Sequence, residues 1–178
     1  MNDITIHNKK FEVFINEEEI RKIVLNMAES INKSKIKDPL FIAILNGSFL
    51  FTADLLRNIK TPNTEISFLK LSSYIGTESS GKVEKLIGLN NDISNRNIII
   101  LEDIIDTGVT LESLLNLLKK ENVNDIKVAT LLFKPNAYKK NFKIDYVGKS
   151  IDNNFVVGYG LDYNELGRNL KHIYKLKN

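Results

Sequence analysis

The chain of 178 residues contains no cysteine. Disulfide bonds, thiolate catalysis and cysteine-ligated zinc are therefore excluded, and the composition fits a reducing compartment. The N-terminal stretch MNDITIHNKKFEVFIN lacks the apolar core of a secretion signal. No run approaches the roughly 18 apolar residues that are needed to cross a bilayer. We therefore expect a cytoplasmic protein that does not bind membranes.

A strong excess of charge is also missing. The net charge of +3 is too small to indicate a nucleic-acid partner by itself, and we expect none. His7 and His172 lie in no catalytic or metal-binding pattern. The hydrophobic content of 43% and charged content of 26% are ordinary for a globular protein. The length suits a single domain, residues 1–178, with a full hydrophobic core.

Apolar runs and helical stripes alternate along the chain. Asn16 is placed to cap a first helix with Glu19 as its capping partner, and further helices are predicted at 49–59 and around 111–118. Such alternation predicts an α/β fold with a mostly parallel central sheet flanked by helices. Strands are predicted at residues 11–14, 40–45, 64–74, 97–101, 126–133, 144–148, 155–160 and 172–176, the last as an edge strand.

Ligands of open α/β sheets bind beyond the carboxyl ends of the strands. This rule directs attention to the junctions after Leu45, Leu101 and Phe133. At the second junction, Thr107, Gly108 and Thr110 offer hydroxyls and backbone N–H groups where a helix begins, which suits a phosphate. A plain helix cap would use the same residue types.

Three carboxylates, on Glu102, Asp103 and Asp106, crowd the predicted phosphate site. They would repel a phosphate unless they face something else. Sugar hydroxyls, a divalent cation or a protonated base would each relieve the conflict, and ribose 5-phosphate has hydroxyls at a suitable reach from its phosphate. We therefore predict that the acids bind a sugar while the loop binds its phosphate, although acids that are merely solvated at a strand end fit the same spacing.

The stretch IIILEDIIDTGVTL, residues 98–111, resembles the ribose-phosphate signature of type I phosphoribosyltransferases. The form Glu-Asp, two apolar residues, then Asp-Thr-Gly is similar to that of the hypoxanthine(-guanine) phosphoribosyltransferases. Other similar segments are AILNGSFLFTADLLR, LSSYIGTESSGKV, LLFKPNA and FVVGYGLDYNELGRNL. They run in the family's order from about Phe41 to Tyr174, so the resemblance covers nearly the whole chain. It also implies a small hood formed by the N- and C-terminal segments.

The resemblance implies roles for individual residues. Asp106 would be the catalytic acid–base group at the purine N7, and a carboxylate there can take the proton that the attacking purine releases. Mg²⁺ is the implied cofactor. The implied sets are, for phosphoribosyl binding, Glu102, Asp103, Asp106, Thr107, Gly108, Val109 and Thr110; for the purine, Lys134, Phe155, Val156 and Asp162; and for the metal, Glu102, Asp103 and Asp162.

The resemblance also implies a pyrophosphate site and a lid. Asn46, Gly47 and Arg168 would contact pyrophosphate, and the peptide bond at Asn46–Gly47 is often cis in the family. Many relatives carry lysine where this chain has Asn46, so a direct charge contact from that position is in doubt. Ser73 and Tyr74 would open a mobile lid over 75–83. Without the motif, Lys134 and Arg168 read as surface charges, Phe155 and Val156 as core residues, Asp106 as a helix cap and the lid as a surface hairpin.

The implied reaction transfers 5-phosphoribosyl from its 1-diphosphate to N9 of hypoxanthine, and of guanine, in purine salvage. A xanthine- or pyrimidine-preferring relative would carry similar motifs, and a regulator that binds nucleic acid could keep the same fold. A phosphoryl-transfer domain with acids at a strand end is a further alternative. The family commonly forms homodimers or homotetramers, so the resemblance also implies self-association.

Overall fold

The computed structural model describes residues 3–72, 84–87 and 92–177, with side chains left undescribed at 71, 72 and 84–87. The helices are α1 (Glu17–Lys33), α2 (Phe49–Leu56) and α3 (Val109–Leu118), and a 3₁₀ turn follows α3 at Lys119–Glu121. The strands are β1 (Ile4–Ile6), β2 (Lys9–Ile15), β3 (Pro39–Leu45), β4 (Glu65–Ser72), β5 (Glu84–Ile87), β6 (Asn97–Ile105), β7 (Asp125–Phe133), β8 (Tyr146–Ser150), β9 (Val156–Val157) and β10 (Ile173–Leu176).

The described residues form two sheets, and the larger one has the strand order β5-β4-β3-β6-β7-β8. The strands from β4 to β8 in this order are mutually parallel, and only β5 pairs antiparallel. The predicted α/β fold with a mostly parallel sheet is therefore confirmed. The order also makes β3, β6 and β7 direct neighbours, so their carboxyl ends meet at one edge.

Helices cover both faces of the larger sheet. On one face, Phe41 and Ala43 of β3 share a buried cluster with residues of α1 and α2. On the other face, Ile42 and Ile44 share a cluster with the leucines of α3. Burial on both faces explains why β3 is a continuous apolar run without alternation.

The smaller sheet is antiparallel, has the order β1-β2-β10-β9 and joins the two ends of the chain. It is the hood that the family resemblance implied. The prediction of β10 as an edge strand was wrong, because β10 lies between β2 and β9. Its partners come from distant parts of the sequence, which a local pattern cannot reveal.

Two predicted elements are shorter in the structure. The strand expected at 155–160 covers only Val156–Val157, since the backbone of Gly158, Tyr159 and Gly160 has φ values of 108°, 51° and 101° and turns away. Helix α2 ends at Leu56 rather than at 59.

The predicted N-terminal cap of α1 is confirmed for Asn16 but not for the Glu19 side chain. The side chain of Asn16 accepts a hydrogen bond from the Glu19 amide at 2.9 Å. The Glu19 carboxylate, however, accepts from the Lys149 ammonium at 2.6 Å, which anchors α1 to β8. Among the described residues, no helix is both long and apolar enough to span a membrane.

Candidate active site

Glu102 and Asp103 lie within strand β6, near its carboxyl end. The sequence predicted that β6 ends at Leu101, but its pairing with β7 continues to Ile105. Glu102 is therefore only 5% exposed, and Asp103 is partly buried. Burial, together with the negative charge of Asp103, raises the pKa of Glu102 well above its usual value.

The pKa of Asp103 is also raised, to about 6, chiefly because the carboxyl is buried. Hydrogen bonds from the backbone at Ile104 and at Asp103 itself oppose that shift, as does the positive charge of Arg168. A bound cation or hydroxyl donors would stabilise the charged forms of both acids.

The loop after β6 forms a small cradle at the start of α3. A cavity of about 110 Å³ is lined by Glu102 and residues 104–111. The helix N-cap is Gly108, with φ 82° and no capping side chain. A Cβ at Gly108 would overlap the side chains of Tyr138 and Lys140. Because Gly108 and not Asp106 is the N-cap, the helix-cap alternative for Asp106 is wrong. Thr107, Val109 and Thr110 are exposed and border the cradle.

Lys134 faces this cradle from the end of β7. Its ammonium lies 2.8 Å from Oδ2 of Asp106, and the residue is only 8% exposed. Its backbone N–H donates to the carbonyl of Ile105 at 2.9 Å, which ties β7 to β6 at this point. A solvated surface lysine, the alternative that the sequence left open, is excluded by this burial.

The loop after β3 touches Asp103 from the other side. A Cβ added at Gly47 would overlap the Asp103 carboxylate, so the glycine lets the loop lie directly against that carboxylate. In the described part of the chain, the cis peptide bond is Leu45–Asn46, one residue before the Asn46–Gly47 bond that the resemblance suggested. Asn46 is exposed, and the buried Ser48 donates its hydroxyl to the Ile44 carbonyl at 2.6 Å.

The C-terminal segment brings Arg168 to the same edge. Its Nη2 lies 2.7 Å from Asp162 Oδ1 and 3.4 Å from Glu165 Oε2. Its Nη1 donates to the Gly160 carbonyl at 2.9 Å. Arg168 is thus held by three groups and is not freely solvated, and its charge also acts on Asp103.

Phe155 and Val156 differ in exposure. Phe155 is 43% exposed, which is unlike a core residue and leaves ring surface for a ligand, whereas Val156 is buried. The Phe155 ring packs edge-on against Tyr163 with the centroids 5.6 Å apart and lies near Phe11 at 6.2 Å. The Lys9 ammonium is 5.9 Å from the Phe155 centroid, so the hood braces this ring.

The predicted metal ligands do not form a closed cluster. Within the ranges that the structure describes, no three acidic or histidine side chains are grouped tightly enough to hold a metal. Asp162 instead pairs with Arg168. Mg²⁺ commonly takes one or two carboxylates and completes its shell with water and substrate oxygens, so the neighbouring Glu102 and Asp103 fit such an open site.

The predicted lid falls outside the described residues. Ser73, Tyr74 and the segment 75–83 lie between β4, which ends at Ser72, and β5, which begins at Glu84.

Sequence reasoning missed three residues of this region: Ser48, Asp54 and Tyr159. The Tyr159 hydroxyl donates to Asp54 on α2 at 2.7 Å. The Gly-Tyr-Gly triplet at 158–160 could have indicated this turn from the sequence, because glycine allows tight turns and the close approach of two backbones.

Comparison with known proteins gives one consistent result. The family model for the phosphoribosyl transferase domain matches residues 14–164. The hypoxanthine-guanine phosphoribosyltransferases of Staphylococcus aureus (strain Mu50) and Staphylococcus epidermidis (strain ATCC 12228) are 44% and 45% identical, over 97% of this chain and 97% of each relative. A crystal structure of a hypoxanthine phosphoribosyltransferase from Staphylococcus aureus has a TM-score of 0.87 and 43% identity, covering 93% of this chain and 91% of that one.

The motif order, the open sheet with its hood and the length of these matches agree. This chain therefore belongs to the phosphoribosyltransferase family and, within it, to the hypoxanthine-guanine phosphoribosyltransferase group.

Proposed function

We propose that this protein transfers 5-phosphoribosyl from 5-phospho-α-D-ribose 1-diphosphate to N9 of hypoxanthine and guanine. The products are inosine or guanosine monophosphate and pyrophosphate. The observation that carries the proposal is the pairing of Lys134 with Asp106 at 2.8 Å beside the cradle at 106–110. The names of the relatives support the same substrates.

The Lys134–Asp106 pair matches one edge of a 6-oxopurine. Such a base presents O6 and N7 next to each other on that edge. The Lys134 ammonium donates to O6, and the Asp106 carboxylate accepts the N7 proton. As N9 bonds to C1 of the ribose, the C1–O bond breaks and its electron pair leaves with pyrophosphate, while the N7 proton passes to Asp106.

Phe155 provides the surface for the flat face of the base. Its exposed ring stacks on the purine, and the backbone of Val156 bonds the purine edge. Aromatic faces prefer offset stacking, and the 43% exposure of Phe155 leaves part of its ring surface available.

The cradle residues 106–110 hold the 5-phosphate, because the N-terminus of α3 presents unpaired N–H groups and partial positive charge. Glu102 and Asp103 bind the ribose hydroxyls. Asn46, Gly47 and Arg168 contact the pyrophosphate, with backbone N–H groups replacing the missing positive charge at position 46. Ser73 and Tyr74 belong to the lid that excludes water from the reacting sugar.

We propose Mg²⁺ as the cofactor, held by Glu102 and Asp103 with Asp162 acting through water. When bound, it would offset negative charge on the diphosphate. The guanidinium group of Arg168 would also offset this negative charge, because its N–H groups can donate two parallel hydrogen bonds to phosphate oxygens.

We further propose a single cytoplasmic domain, residues 1–178, that binds small molecules and self-associates as a homodimer or homotetramer. Phe49, Ile66 and Phe68 support self-association, since all three are large apolar residues with 39–40% exposure. Ile66 and Phe68 are two positions apart on β4 and therefore share one face of the sheet.

A steady-state assay with hypoxanthine, guanine, xanthine and uracil, each with and without Mg²⁺, tests the proposal. We expect turnover with the first two bases and dependence on Mg²⁺. Preference for xanthine or uracil would contradict the substrate assignment. Retardation of nucleic acid in a gel without turnover of any base would favour a regulator on the same fold.

A further inference from the structure

A hydrogen bond ties the C-terminal segment to α2 beside the pyrophosphate loop. The Tyr159 hydroxyl donates to Oδ2 of Asp54 at 2.7 Å, across 105 positions of the chain. We propose that Tyr159 is a positioning residue that fixes the separation between Arg168 and the loop at 46–48. The inference rests on the proposed function, in which both groups contact the pyrophosphate.

The backbone at Tyr159 is held in an unfavourable conformation. Its φ of 51° lies in the left-handed region, where a residue with a Cβ meets steric crowding. Such a conformation persists only where the surroundings determine it strongly. Here the surroundings are the buried cluster that Tyr159 shares with Phe51 and Leu55 of α2, together with the bond to Asp54.

Tyr159 also controls the backbone that carries Arg168. The Tyr159 N–H donates to the Leu170 carbonyl at 2.9 Å, and the Gly160 N–H donates to the Arg168 carbonyl at 2.9 Å. The Arg168 side chain returns to the Gly160 carbonyl at 2.9 Å. A shift of Tyr159 therefore moves the turn on which the guanidinium rests.

The same turn rests directly on the pyrophosphate loop. A Cβ added at Gly160 would overlap the carbonyl oxygen of Gly47, so the two backbones are in close contact. Asp54 lies on α2, which begins at Phe49 directly after that loop. The loop and the Arg168 turn are therefore joined twice, by the backbone contact and by the Tyr159–Asp54 bond.

The Tyr159 hydroxyl stays protonated and can therefore donate this hydrogen bond throughout the ordinary pH range. Burial first, and then the hydrogen bond to the Asp54 carboxylate, raise the pKa of Tyr159, so its hydroxyl keeps the proton that it donates. Hydrogen bonds to an ionised acceptor are stronger than neutral ones. Arg57 also faces Asp54, with its Nη1 3.6 Å from Oδ1 of the carboxylate.

The test compares Tyr159→Phe with the wild type, because phenylalanine keeps the ring and removes only the donor. We expect KM for the phosphoribosyl diphosphate to rise about tenfold, the effect of about 1.4 kcal/mol, while KM for hypoxanthine stays within twofold. Asp54→Asn, whose amide oxygen still accepts from the hydroxyl, should fall between the wild type and Tyr159→Phe. Tyr146→Phe, which removes a phenolic hydroxyl at the edge of the same core cluster, should leave both KM values unchanged.

Calorimetric binding of Mg²⁺-pyrophosphate in the absence of purine gives a second readout that does not depend on turnover. We expect Tyr159→Phe to weaken this binding about tenfold, in line with the KM change. An unchanged KM for the phosphoribosyl diphosphate, or an equal rise in both KM values, would overturn the positioning role. Wild-type protein that binds pyrophosphate but transfers phosphoribosyl to no base would overturn the proposed function instead, whatever the variants do.

Discussion

The ammonium of Lys134 and the carboxylate of Asp106 meet at 2.8 Å, although 28 positions separate them in the chain. The adjacency of β6 and β7 creates this contact, because the backbone bond from Lys134 to Ile105 aligns the two strand ends. One donor and one acceptor, side by side, recognise two adjacent atoms of a base better than either could alone.

Replacing Asp106 with asparagine should slow turnover strongly while the diphosphate sugar still binds. The amide has the size of the carboxylate but takes up no proton, so kcat should fall about 10²- to 10⁴-fold. Nucleotide formed from labelled hypoxanthine measures the rate, and calorimetry with phosphoribosyl diphosphate measures the binding. Turnover equal to that of the wild type would remove Asp106 from the mechanism.

Replacing Lys134 with methionine should weaken purine binding. A charge-assisted hydrogen bond is worth about 1.5–3 kcal/mol, so KM for hypoxanthine should rise by about 10- to 100-fold. Lys139→Met is the matched control, since Lys139 is exposed in the same segment. If Lys134→Met and Lys139→Met gave the same KM for hypoxanthine, Lys134 would not contact the base.

The parallel strands of the larger sheet and the central motif could be read from the sequence, whereas the antiparallel strand β5 was not predicted. The strands β3, β6 and β7 are buried on both faces, so their apolar composition alone indicated them. The family resemblance then supplied roles that periodicity cannot supply.

Other features depend on contacts between distant segments. Hood strand β10 pairs with β2, at the other end of the chain, and with β9, which precedes it in the sequence. A local sequence pattern does not predict such partners. The extension of β6 to Ile105 depends on β7, and it buries Glu102 where the sequence suggested a strand end. The Tyr159–Asp54 bond spans 105 positions and was invisible for the same reason.

Asp103→Asn should stabilise the substrate-free protein at neutral pH while reducing its activity. The folded-state pKa of about 6 lies above the usual aspartate value of 3.8, so the folded protein binds more protons than the unfolded chain, and stability falls as the pH rises from about 4 through 6. The neutral amide avoids this loss, so its free energy of unfolding at pH 7.5 should exceed that of the wild type by up to about 3 kcal/mol. Urea unfolding at pH 4 and pH 7.5 measures both values.

The control for this experiment is Asp152→Asn, which neutralises an exposed aspartate. Its stability difference from the wild type should not grow between pH 4 and pH 7.5. A gain for Asp103→Asn that is the same at both pH values would show that burial of the charge is not the cause.

Gly108→Ala should damage both the fold and the phosphate cradle. The φ of 82° is unfavourable for alanine, and the new Cβ would overlap Tyr138 and Lys140. The left-handed conformation alone costs about 1–2 kcal/mol, so the melting temperature should fall, and displacement of the loop should raise the Kd for inosine monophosphate.

Gly148→Ala separates the effect on stability from the effect on binding. Its Cβ would overlap the Leu131 carbonyl on β7, but Gly148 lies on edge strand β8, outside the cradle. It should lower the melting temperature without changing nucleotide affinity, and equal losses of affinity in both variants would mean that Gly108 acts through stability alone.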